Sequence, residues 1–230
     1  MKLRSGTVLR FKLEHGFGYG YCRLVDRTVP GCPATLLIQV YSIHGPDDLD
    51  LEEVTASEYL LNPIEIRNYP NTKGRGCWHP MAVMPSLRDR VMPVFKHRPL
   101  LSIPVLADEC ELPVWRADLG NRLSRPLDYR RVAHLEQRIL VYQDEVIRRA
   151  TMELIKVGGK RIDDYYDVSK LDKVRETFVR SINVPFHKDI PARYRGRVIP
   201  VAHLDSFEGI PFRSKAANPK QALNSRFMPW

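Results

Sequence analysis

Gly16-Phe17-Gly18-Tyr19-Gly20-Tyr21-Cys22-Arg23 is the stretch that decides how this chain is read. Three glycines alternate with three aromatic residues, and a cysteine and an arginine come next. Side chains at every second position of a strand project from one face, so Tyr19, Tyr21 and Arg23 share a face. Upstream, Thr7 to Leu13 alternates Val8, Arg10 and Lys12 with Leu9, Phe11 and Leu13. The unit reads as a β-hairpin with its turn between Glu14 and Gly18, where glycine supplies backbone angles that other residues avoid. It is not a phosphate cradle: a dinucleotide fingerprint needs a helix after the glycines, and the residues beyond Gly20 are β-like.

Further along, Ala34 to Ile43 is almost continuously apolar, the signature of a strand central in a sheet. Pro30-Gly31-Cys32-Pro33 is the turn that leads into it. Beyond the Gly45-Pro46 break, Leu49 to Leu61 reads as a short helix, and Ile64–Ile66 and Met81–Met84 as two more strands flanking the polar loop Asn71 to Gly76. The expected architecture is α+β: a curled, small-barrel-like antiparallel sheet of five strands packed against a helical hairpin.

The helical hairpin is expected over 128–184. Val132, Leu135, Ile139, Tyr142, Val146, Ala150 and Val157 recur at steps that put them on one helical face, with Asp128 as N-cap and Gly158-Gly159 as the stop. Arg130, Arg131, Arg138, Arg148 and Arg149 beside Glu136, Asp144 and Glu145 read as a solvated, ion-paired face. A second helix is expected from about Val168 to Ile182, capped by Ser169. The chain divides into three regions: a β-rich part over 1–127 with a proline-rich extension, in which Trp115 anchors wrapping chain and Leu100 to Ala107 forms an edge strand; the hairpin over 128–184; and a basic, proline-rich arm over 185–230.

The chain has 230 residues and a formal net charge of +9. Of this excess +2 falls in 1–127, +2 in 128–185 and +5 in the last 45 residues. A basic tail favours weak, salt-sensitive contact with acidic partners and is a poorer nucleic-acid signal than a basic face on a folded domain. The four cysteines, Cys22, Cys32, Cys77 and Cys110, lie far apart without a Cys-x-x-Cys pair, which argues against a zinc site and for free thiols in a reducing compartment. The start of the chain has no apolar run of the signal-peptide kind, and no stretch approaches the ~20 apolar residues of a membrane span. A cytoplasmic protein is expected.

No constellation carries chemistry strongly. The phosphate-loop, nucleophile-elbow and zinc-protease motifs are absent from the sequence. Adjacent Asp163-Asp164 reads as turn acids. Cys77-Trp78-His79 is the nearest approach to a reactive cluster, and thiol catalysis needs a base close in space. The sequence therefore favours a binding protein over an enzyme, with no cofactor and no metal.

The first strands also resemble a known family. Gly6, Phe11, Leu13, Gly16, Tyr19, Tyr21, Arg23 and Leu24 are similar to the opening of the twenty-sixth numbered immunity-protein family of bacterial polymorphic toxin systems. Thr7, His15 and Cys22 depart from it, and Gly76-Cys77-Trp78 is similar to a later Gly-x-Trp. The resemblance implies a non-enzymatic immunity protein that binds and neutralises a cognate toxin. Tyr19, Tyr21, Arg23 and Trp78 are then the candidate binding residues, with Arg23 the most exposed of the hairpin three. The rival is a nucleic-acid-binding module on a small β-barrel with a basic tail, and a third option is a thiol-dependent hydrolase.

Overall fold

The computed structural model describes residues 2–26, 36–46, 48–74, 76–84, 95–97, 116–118, 132, 135–169 and 172–182. Strands β1 (Thr7–Lys12), β2 (Tyr19–Asp26) and β3 (Leu36–Gly45) form an antiparallel meander. Helix α1 (Leu51–Ala56) comes next, then β4 (Ile64–Ile66) and β5 (His79–Val83). The five strands make one sheet in the order β4-β3-β2-β1-β5. β4 and β5 are opposite edges, so the sheet is open and not closed into a barrel. Pro80 stands on the β5 edge, a position where a missing N–H is tolerated.

The alternation read from the sequence sorts the core onto two faces. Leu9, Phe11, Cys22, Leu24, Ile38 and Val40 pack on one side. Val8, Tyr21 and Tyr41 pack on the other, against Val54 of α1. Asp50 begins α1 with a capping box completed by Glu53.

Helix α2 spans Gln143–Val157 and ends at Gly158, with Gly159 at φ 71°. Its start corrects the sequence reading by more than ten residues. Residues 136–141 are an extended connector: Val141 N–H donates to Glu65 O at 3.1 Å, Arg67 N–H donates to Val141 O at 2.9 Å, and Lys96 N–H donates to Glu136 O at 2.9 Å. The connector thus joins β4 to a two-stranded ribbon of β6 (Phe95–His97) and β7 (Arg116–Asp118). Ile139 and Tyr142, placed by periodicity on a buried stripe, are exposed. The cap is not Asp128, which lies outside the described residues. Tyr142 precedes the first turn, and its N–H donates to the Glu145 carboxylate at 3.0 Å.

Helix α3 (Lys173–Ile182) packs on α2, Val174 and Phe178 meeting Met152 and Ile155, with Lys173 Nζ 3.9 Å from Glu145 near the start of α2 and Lys156 donating to Ser181 O at 2.7 Å near its end. Its cap is Asp172, whose Oδ1 accepts from Val174 N–H at 2.8 Å; Ser169 instead bonds Asp167. Asp163 and Asp164 lie in a short 3-10 turn (Ile162–Asp164) and pair with Arg161, as turn acids do. The layers run α1, sheet, α2, α3. Among the described residues no helix is long and apolar enough to cross a membrane. The turn at Pro30 to Pro33, the strand at Leu100 to Ala107, Trp115 and the arm over 185–230 lie outside the described residues.

Candidate functional site

The glycine-aromatic hairpin is held by its own motif residues. Tyr21 is fully buried, and its hydroxyl accepts from Leu49 N–H at 2.9 Å, pinning the chain that enters α1. Trp78 is fully buried and stacks on Phe11 with ring centroids 4.7 Å apart. Tyr19 is half-buried, and the Arg10 guanidinium lies over its ring at 4.6 Å while also pairing with Asp48.

Arg23 corrects the expectation that it is the most exposed of the three. It is 7% exposed; its Nη2 and Nε donate to Met84 O at 2.8 and 3.2 Å, and its Nη1 to Gln39 Oε1 at 3.2 Å. The shared face of β2 is real, but α1 and the end of β5 occupy much of it.

The tip of the hairpin is different. Glu14 to Gly18 turns with His15, Gly16 and Gly18 at positive φ. Gly18 is required there, since a Cβ on it would fall on the Gly45 carbonyl. This close approach sets the tip beside the end of β3 and projects His15 and Phe17 toward the C-terminal end of α2. Phe17 lies 5.8 Å from the Tyr165 ring and 6.4 Å from the His44 ring. His15 meets Tyr166 edge-on at 4.4 Å, and the Tyr166 hydroxyl donates to the Glu14 carboxylate. Lys160 Nζ stands 5.9 Å from the centres of both the Phe17 and Tyr165 rings. Phe17, His44 and Lys160, together with Tyr59, Leu60, Leu154 and Val157, bound a groove of about 310 Å³, at the lower end of the ~300–1,000 Å³ range of ligand clefts. Sequence reasoning missed it, because its walls come from four separate segments of the chain.

A second polar cluster is internal. Arg149 on α2 is 4% exposed; its Nη1 donates to Glu153 at 2.6 Å and its Nη2 to Glu136 at 3.1 Å. Lys156 donates to the same Glu153 carboxylate at 2.9 Å. The sequence pattern puts Arg149 and Glu136 on a solvated face. The structure buries them because the connector and α3 close over that side of α2. Burial alone would lower the Arg149 pKa, but Glu136 and Glu153 raise it above the ordinary value.

Lys96 of β6 is 1% exposed beside this cluster, and burial pulls its pKa down to about 7, with Glu136 opposing and Arg149 and Lys156 reinforcing. Below about pH 7 Lys96 is charged in both states. Between about 7 and its ordinary 10.5 the unfolded chain binds more protons than the folded one. Stability therefore rises with pH across that window, by at most about 1.4 kcal/mol per unit from this group. Lys96→Met keeps the apolar stem and removes the titration. In denaturant melts at pH 7 and pH 9 the wild type should gain up to about 3 kcal/mol more than the variant between the two pH values. Parallel pH dependence of the two proteins would refute this.

Cys77 Sγ and His79 Nε2 are 3.6 Å apart at the start of β5, where Gln143 ties down the loop by donating to Gly76 O at 3.3 Å. The other described cysteine, Cys22, is fully buried, and burial pushes its thiol pKa well up. Among the described residues no group of three or more His, Cys, Asp or Glu is arranged to hold a metal ion.

Residues 4–86 match the model of the family described as Immunity protein 26. The matched segment contains β1 to β5 and α1, the whole five-stranded sheet. No curated protein matches the chain, and no solved structure does.

Proposed function

We propose, for a chain whose residues 4–86 match the Immunity protein 26 family, that it binds a cognate toxin in the cytoplasm of the cell that makes it and neutralises the toxin by occupying its surface, without catalysis of its own. The observation that carries this reading is that the match coincides with a complete structural unit, from the first strand of the sheet to its last. Neutralisation by binding needs only shape, aromatic or arginine anchors and steering charge. Of the four motif residues, Tyr21, Arg23 and Trp78 act by fixing the shape of the sheet. Tyr19, half-buried beside Arg10, retains surface to offer a partner.

The test is to identify a toxin gene beside this chain's own gene and co-express the two. Cells carrying toxin and full-length protein should grow as toxin-free cells do, and the two proteins should co-purify. Growth arrest despite soluble, folded protein would overturn the assignment.

A further inference from the structure

The groove at the hairpin tip is built from two sources. Phe17, His44, Tyr59 and Leu60 belong to the family-matched segment; Leu154, Val157 and Lys160 do not. Its floor is apolar and aromatic, and Val157 at its edge is 45% exposed. Such surface beside a ring cluster suits an inserted apolar side chain.

Charge narrows the choice of occupant. Lys160 is exposed, and among the described residues its ammonium meets only the two ring faces below it. Exposed His44 stands on the same rim. Glu58 is the one carboxylate among the described residues lining the groove, and it already interacts with another group. Arg161, next along the chain, is committed to Asp163 and Asp164. The rim thus presents a cation with no carboxylate paired to it among the described residues, over an apolar floor.

We propose that this groove takes an acidic segment of the toxin, one aromatic or large aliphatic side chain entering between Phe17 and Tyr59 while a flanking carboxylate meets Lys160. The proposal rests on the immunity reading and deepens it. Because one wall lies outside the family-matched segment, the end of α2 and the turn after it set which toxin is accepted. The sheet supplies the part of the groove that is independent of that choice.

Two acetylated, amidated pentapeptides, DEFDE and KRFKR, test the chemistry by amide chemical-shift titration of the full chain. DEFDE should shift resonances of residues 17, 44, 59 and 160 saturably, and KRFKR should not. Lys160→Glu, at an exposed position and with an unchanged melting temperature, should weaken DEFDE binding by about tenfold or more. It should weaken the affinity for the neighbouring toxin by a similar factor. Equal shifts from both peptides, or none at the groove, would overturn the proposal. So would a toxin affinity unchanged by Lys160→Glu, which leaves the immunity reading intact. A wild type that binds DEFDE selectively but not the toxin overturns the immunity reading and leaves the groove as an acidic-segment site.

Discussion

Gly18→Val is expected to destabilise the protein by about 2–6 kcal/mol, combining a strained left-handed backbone with an overpacked contact. Gly18 sits at φ 80°, and its added Cβ would strike the Gly45 carbonyl and approach Pro46 N to 2.8 Å. Those atoms are backbone and cannot swing aside. Gly16→Val is the matched control: φ is 74°, but nothing lies within 4 Å of its Cβ. It should lose only the strain, about 1–3 kcal/mol. Urea titrations of the two variants separate the effects, and equal losses would show that the tip does not depend on its contact with β3. Gly18→Val should also disturb the groove, because the contact it breaks sets Phe17 beside His44.

Arg149→Met is the second large effect. It leaves the carboxylates of Glu136 and Glu153 buried beside a neutral side chain, a change that costs about 3–5 kcal/mol. In a domain of this size that lowers the melting temperature by roughly 6–20 °C. Arg149→Lys should recover only part of the loss. One ammonium cannot reproduce the two-pronged contact in which Nη1 serves Glu153 and Nη2 serves Glu136. A melting temperature for Arg149→Met within about 2 °C of wild type would mean that the network contributes little to holding the connector, α2 and α3 together.

The elements legible in the sequence were those whose signals are local. Alternation gave β1 and β2, an apolar run gave β3, and glycine marked the end of α2. The start of α2 was not legible, because the helical spacing of Leu135, Ile139 and Tyr142 continues by coincidence through residues 136–141, which pair with β4 and β6. A hydrogen-bonded neighbour more than 70 residues away leaves no mark on local periodicity. Arg23 failed as a surface residue for a related reason. Its type favours exposure, yet Met84 O, 61 residues on, satisfies its guanidinium inside the fold. The groove was invisible because Phe17 reads as a turn residue, while Lys160 falls between the two expected helices.

The packing of α2 on the sheet sets a schedule for synthesis. Leu9, Phe11, Leu24 and Ile38 share their cluster with Val146, Ala150 and Leu154. The matched segment ends at residue 86, and its cover is not complete until residue 154 has been made. At about 5–20 residues per second those 68 residues take roughly 3–14 s. For that interval the meander, formed from adjacent strands and short turns, stands on the ribosome with one apolar face open to water. Each nascent chain is then a substrate for chaperones and for its neighbours on the same message. The delay before the first fully covered sheet appears is therefore set by the arrival of the helix, not by the segment that matches the family model.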